Sequence, residues 1–245
     1  MPAPLTPAQL ADYHRDGFVT ARGLYSAAEV LQWKQLASDL LSREPENRVG
    51  LRVWMPEVLD PRFLPFMHEP RVISILRQII GPDIEFLSVK AVFKNAATSY
   101  ASPWHQDWFY WEGSTKISVW IALDDATIAN GCLKFIPGTH KRVFERFAVE
   151  GSAFGRQIRE QDLAHLPVVT AELNRGDAVF FHDLAVHSSH PNTAQSDRWS
   201  LISTYRDASV PDSSEVWKAP LLVCGESVNG AKPISASEPV GTANG

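Results

Sequence analysis

Apolar positions recur at helical spacing early in the chain and fall into short runs later. Residues 5–16 set Leu10, Ala11 and Tyr13 on one side, with Thr6-Pro7 as a start signal and Gly17 as a stop, which predicts a short helix. A strand over 18–24 follows. Ser26 with Glu29 matches a capping box, and Val30, Trp33, Leu36, Ala37, Leu40 and Leu41 then return every three to four residues, so a second helix is expected to fray near 43–45. Within 48–60, Val49, Leu51 and Val53 alternate with Gly50 and Arg52, as in a strand or an ordered loop. Pro70 opens a third helix to Ile80, closed by Gly81-Pro82. From Ile84 the texture changes to strands at 84–94, 116–123, 133–136, 167–173, 178–182 and 199–205, parted by turns such as Asn130-Gly131 and Pro137-Gly138. Only a short turn near 160–164 breaks this run. The layout predicts an α+β fold, mainly β, with a sandwich or barrel and helices backing one sheet.

Composition narrows the class. A length of 245 residues suits one domain with a substantial core, or at most two small ones. The net charge of −5 comes without any basic block, which argues against nucleic acid or an anionic membrane as partner. The longest apolar runs, 72–76 and 119–123, are far too short to span a bilayer. The opening Met-Pro-Ala-Pro-Leu-Thr-Pro lacks the regions of a signal peptide. Cys132 and Cys224 have neither metal-ligand spacing nor a disulfide framework, so a reducing cytoplasm is expected, with both as small apolar residues. Beyond Val223 the chain turns polar and small, and reads as a loosely attached end.

The candidate chemistry lies in Ser102-Pro-Trp-His-Gln-Asp-Trp-Phe-Tyr-Trp111. In an extended segment His105 and Asp107 point the same way. They would supply two ligands of a 2-His-1-carboxylate site, the arrangement that holds non-heme Fe(II) and leaves coordination positions open. His182, His187 and His190 compete for the third place. Trp104, Trp108, Tyr110 and Trp111 crowd beside the pair, as core packing or as the wall of an apolar substrate pocket.

In its motif order the chain resembles the phytanoyl-CoA dioxygenase family of Fe(II)- and 2-oxoglutarate-dependent oxygenases. The resemblance runs over most of residues 5–207. It includes Leu5-Thr-Pro-Ala-Gln-Leu, Arg15-Asp-Gly-Phe-Val, His105-Gln-Asp107 and Val119-Trp-Ile-Ala-Leu-Asp-Asp. It continues through Asn130-Gly-Cys-Leu, Ile136-Pro-Gly-Thr-His, Gly176-Asp177, His187-Ser-Ser, Asn192 and Arg198. It implies a double-stranded β-helix (jelly roll, cupin-like) core over about 83–210, helical support over about 1–82, a single domain over 1–225 and a polar tail over 226–245. It implies His105, Asp107 and His187 as metal ligands, with Ser188 where glycine is commoner. His182 and His190 then become supporting residues. Arg198, eleven residues after His187, would clamp the far carboxylate of 2-oxoglutarate, with Ser200, Trp120, Asn130 and Lys90 as further cofactor-pocket candidates. The implied reaction is oxidation of a small-molecule C–H bond with O2 as co-substrate, and 2-oxoglutarate decarboxylated to succinate. Related halogenases carry a small residue in place of the carboxylate, so Asp107 implies hydroxylation or a related oxidation, not halogenation.

Substrate is read from neighbours. No compact basic cluster between His68 and Arg156 suits a CoA tail, which favours a small metabolite or natural-product intermediate over an acyl-CoA. Arg142, Arg146, Arg156 and Arg159 fall where family members carry a mobile lid. The competing classes are a zinc hydrolase and a non-catalytic cupin-like module; the first leaves Arg198 without a role and the second would not need all four polar residues. A monomer or homodimer is expected.

Overall fold

The computed structural model describes residues 4–43, 50–150 and 154–234. Helices α1 (Pro7–Asp16) and α2 (Ala27–Leu41) both begin at the expected capping boxes. Thr6 Oγ1 accepts from Gln9 N at 3.2 Å and Gln9 Oε1 accepts from Thr6 N at 3.0 Å, so two otherwise orphaned donors are satisfied. Gly17 ends α1 in the left-handed region at φ 85°. A short α3 (Leu64–Met67) precedes α4 (Pro70–Ile80), whose Val72, Ile73, Ile75 and Leu76 are buried. The fraying expected near 43–45 falls largely outside the described residues.

The strands are β1 (Phe18–Ala21), β2 (Leu51–Trp54), β3 (Ile84–Lys94), β4 (Lys116–Ala122), β5 (Leu133–Phe135), β6 (Phe147–Ala148) and β7 (Arg156–Gln157). After a turn of helix, α5 (Glu160–Leu163), come β8 (Val169–Ala171), β9 (Ala178–His182), β10 (His187–Ser189), β11 (Arg198–Asp207), β12 (Leu221–Cys224) and β13 (Lys232–Pro233). The large sheet runs β1-β9-β4-β11-β3-β12-β13, with β2 also on β3; a smaller sheet runs β10-β5-β8. This is the expected mainly β, cupin-like arrangement.

The long central strands are buried on both faces, so they carry no inside-polar, outside-apolar alternation. Their two parities still have different jobs. Ile117, Val119 and Ile121 of β4, with Leu201 and Tyr205 of β11, face the helices in one core. The opposite parity, Trp120 and Ala122 of β4 with Val179 and Phe181 of β9, packs between the sheets. That inter-sheet parity also carries Lys90 and Lys94 of β3, Ser118 of β4, and Arg198, Ser200 and Thr204 of β11. Polar side chains are costly there unless paired, and their concentration on one face marks where chemistry is placed.

The chain beyond Val223 departs from the expected loose end as far as residue 234. Buried Glu85 explains the attachment: its carboxylate accepts from Ser227 Oγ on one oxygen and from Arg206 Nε at 2.5 Å on the other. Arg206 also meets Asp212, which takes Lys116 Nζ at 2.9 Å and Ser114 N at 2.7 Å. Lys116 and Asp212 are 0% and 1% exposed, so each needs the other. Asp212→Asn leaves buried Lys116 and Arg206 short of one counter-charge and is expected to cost about 3 kcal/mol, read as a lowered urea midpoint at unchanged slope. A midpoint equal to the wild type's would mean the cluster does not hold this segment.

Candidate metal centre and co-substrate pocket

The backbone brings the ligands together first. His105 and His187 form an isolated antiparallel bridge and exchange both hydrogen bonds, His105 N to His187 O and His187 N to His105 O, each at 3.0 Å. Directly opposed residues in such a bridge project to the same side, and the two imidazole centroids lie 4.2 Å apart. Asp107 is not in a strand as expected. It begins a 3-10 turn, Asp107–Tyr110, entered from an extended Gln106. Buried Gln106 anchors that turn by donating to Arg142 O and Leu184 O and accepting from Phe144 N.

Asp107 Oδ1 stands 3.5 Å from His105 Nε2 and 3.7 Å from His187 Nε2. The three donor atoms lie within 4.8 Å of one another, and no other such group of His, Cys, Asp or Glu occurs among the described residues. Each Nδ1 faces a backbone carbonyl, His105 to Pro103 O at 2.8 Å and His187 to Ala185 O at 3.0 Å. That partner holds the proton on Nδ1 and leaves Nε2 free to ligate. Burial and neighbouring His105 pull His187 down to about 4, so it is neutral at pH 7. Burial alone would raise Asp107, but His187, His105 and Lys90 hold it well below the usual carboxylate range. Two imidazoles and one carboxylate on one side form the donor set that Fe(II) takes.

His182 lies outside this set: its Nδ1 accepts from Leu184 N at 3.0 Å. His190 serves through its backbone oxygen, which accepts from Lys94 Nζ.

The triad opens into a cavity of about 320 Å³. Its inner end holds Arg198, Lys94, Tyr100, Ser102 and Ser189. Arg198 is 1% exposed, rests 5.3 Å from the Trp120 ring centroid and donates Nη1 to Ser200 Oγ at 3.0 Å. Its Nε is buried without a partner, and so is the Tyr100 hydroxyl. Two orphaned donors beside a buried cation fit an incoming carboxylate. Burial pulls Arg198 down to about 10, which leaves it charged at pH 7.

Lys94 was missed from sequence. It pairs across strands with Arg198 and donates Nζ to Ser189 Oγ at 2.8 Å. Gly131 makes room for it at φ 98°; a Cβ there would sit 2.7 Å from Lys94 Cδ. Burial and neighbouring Arg198 pull Lys94 down to about 7. An anion binding here raises that value again, so above pH 7 binding must take up a proton. The KM for 2-oxoglutarate is therefore expected to stay flat below pH 7 and to climb above it, by up to about tenfold per pH unit. Lys94→Met should flatten the climb; an unchanged slope in that variant would assign the dependence elsewhere.

Other expected residues divide. Tyr110 and Trp111 line the cavity, and Trp111 Nε1 is fixed by Asp183 Oδ2 at 2.9 Å. Trp104 and Trp108 do not line it. Trp104 flanks His105 on the opposite parity and packs with Phe109, Ile136 and Phe144; Trp108 joins the same cluster. In a three-residue turn Tyr110 follows Asp107 on one side and Trp108 leaves it. Asn130 also lies off the cavity: it ties its own turn, accepting from Thr127 N at 2.7 Å and donating to Asp125 O at 2.8 Å. Lys90 lines the cavity apart from Arg198, with Nζ on Thr204 Oγ1 at 2.8 Å. Met55, Val216 and Trp217, unforeseen, complete the outer wall.

A family model described as phytanoyl-CoA dioxygenase matches residues 13–200. The chain belongs to the phytanoyl-CoA dioxygenase family. Its enzyme class is accordingly Fe(II)/2-oxoglutarate-dependent dioxygenase, as the motif resemblance implied. Among curated relatives, the L-proline trans-4-hydroxylase of Streptomyces griseoviridis is 27% identical and aligns over 92% of this chain and 94% of its own. The ectoine dioxygenase of Bordetella parapertussis is 23% identical over 82% of this chain and 75% of its own. Among solved structures, the epimerase SnoN with Fe3+, alpha ketoglutarate and nogalamycin RO superposes with a TM-score of 0.72 at 24% identity, covering 94% of this chain and 95% of that one. This phytanoyl-CoA dioxygenase family member thus has the fold of its relatives from end to end of the described core. No helix among the described residues is long and apolar enough to cross a membrane.

Proposed function

We propose that the protein hydroxylates a C–H bond of a small metabolite or natural-product intermediate that carries apolar or ring surface. The observation that carries this reading is one cavity shared by the His105, Asp107 and His187 donors and by buried Arg198 with its unpartnered Nε. Bound Fe(II) with 2-oxoglutarate supplies the oxidising power, one atom of O2 going to the substrate and one to succinate as CO2 leaves.

The chain's residues do the rest. His105, Asp107 and His187 hold the metal on one side, and their Nδ1–carbonyl contacts stop the rings from turning. Arg198, Lys94 and the Tyr100 hydroxyl receive the far carboxylate of 2-oxoglutarate and so orient its 2-oxo acid end towards the metal. Met55, Trp111, Val216 and Trp217 line the outer wall and exclude water from the reacting C–H bond.

Small-molecule scope draws support from relatives named for proline and ectoine. The arginines considered for a lid are engaged locally. Arg146 donates to Glu112 Oε1 at 2.9 Å and Arg156 to Phe109 O, while Arg142 lies over the Phe144 ring. An acyl-CoA tail would find no free basic cluster in them.

The direct test is oxygen uptake and succinate release with Fe(II) and 2-oxoglutarate, then with pooled metabolites added. Basal 2-oxoglutarate turnover, stimulated by one pool, is expected. A metal-loaded protein that consumes no oxygen with 2-oxoglutarate would overturn the assignment.

A further inference from the structure

Within the proposed oxygenase, the cavity also holds a cation set apart from Arg198. Lys90 projects from β3 between the sheets, one step of the same parity beyond Val92 and two beyond Lys94. Its Nζ donates to Thr204 Oγ1 at 2.8 Å and lies 5.0 Å from the Trp111 ring centroid. No carboxylate is within ion-pair distance of it among the described residues. An ammonium in an apolar cavity with one hydroxyl acceptor keeps N–H donors unspent.

A second donor stands close by. Trp217 lines the same cavity, its ring centroid 5.5 Å from that of Trp111, and its indole Nε1 is buried with no acceptor. Lys90 and Trp217 therefore both abut Trp111, whose own N–H is already committed to Asp183. A cation with one hydroxyl acceptor and a buried indole N–H with none, both beside one aromatic ring, ask for an anionic acceptor. The surrounding Val53, Met55 and Val216 offer only apolar contact.

We propose that Lys90 and Trp217 are specificity-determining residues that receive the carboxylate of an acid substrate whose apolar or ring-bearing body lies along Trp111. The polar end is held at the cavity wall, and a carbon of the body faces His105, Asp107 and His187. Lys90 then acts on the substrate and leaves 2-oxoglutarate to Arg198 and Lys94.

The test uses protein loaded with Mn(II) and saturating 2-oxoglutarate without oxygen, so that nothing turns over and the Arg198 end is filled. Phenylpropionate and 1-naphthylacetate are compared by calorimetry with their matched alcohols. The acids are expected to bind at least about tenfold more tightly than the alcohols. Lys90→Met should remove that preference and Lys90→Arg should keep most of it. Trp217→Phe, which retains the ring and loses the N–H, should reduce it severalfold. Equal binding of acid and alcohol by the wild type, failure of both acids to bind, or a preference that survives Lys90→Met would overturn the proposal. If Lys90→Met is unfolded, Thr204→Val is measured instead; it frees the ammonium from its hydroxyl partner and must alter the acid-to-alcohol ratio. The readout is binding without turnover, so it fails separately from the oxygenase reading, which falls only if Fe(II) and 2-oxoglutarate give no succinate.

Discussion

Asp107→Ala should eliminate 2-oxoglutarate-dependent succinate formation and weaken metal binding by at least about a hundredfold. Changes to residues that merely orient a ligand already cost ten- to a hundredfold in affinity, and this change removes a ligand outright. Asp107 is also the charge that the centre turns on. Its Oδ1 is the atom shared between His105 Nε2 and His187 Nε2, and its Oδ2 takes Ser118 Oγ at 3.2 Å. Without it, two imidazoles face each other with no negative group to offset a divalent cation. Metal content after dialysis and succinate release measure the two effects separately. Circular dichroism checks that the fold stands, since the His105–His187 backbone bridge does not pass through the Asp107 side chain. Full succinate production by the variant would remove Asp107 from the site.

Arg198→Met should raise the KM for 2-oxoglutarate by about a hundredfold, with a smaller change in kcat. Truncating one partner of a buried charge-assisted pair costs about 2–5 kcal/mol. Arg198 is held for this task by the Trp120 ring and Ser200 Oγ, with Nε left over for the ligand. Arg198→Lys should recover only part of the loss, because a single ammonium cannot reproduce a planar two-donor face. A KM within threefold of the wild type's for Arg198→Met would show that the far carboxylate binds elsewhere.

Much of this site was legible in the chain because each essential group has a distinct chemical type at a telling spacing. His105 and Asp107 are two residues apart, and Arg198 follows His187 by eleven. The helices were legible through their caps, and β3 and β9 to the residue, because apolar runs bounded by turn residues have few other solutions. The misses have physical causes. Trp104 and Trp108 sit beside the ligands in sequence, but alternation and the 3-10 turn send them to a neighbouring core. Asn130 satisfies its own loop, a local bond that sequence order cannot distinguish from a ligand contact. Lys94 had a signal that could have found it: a second lysine, on the parity of Lys90, in a strand that is mostly apolar. Trp217 had a weaker one, a large aromatic in a stretch of Pro, Asp and Ser. The attachment of residues 226–234 had none, since it depends on Glu85 far away in the chain.

The stretch that supplies Val216 and Trp217 begins after the last residue matched by the family model, and Asp212 rivets it to Lys116 and Arg206. One part of the cavity wall is thereby encoded apart from His105, Asp107 and His187, while Lys90 and Trp111 are encoded among them. A graft that exchanges the segment after β11, keeping its aspartate anchor, would replace that part of the wall and leave the three donor residues unchanged.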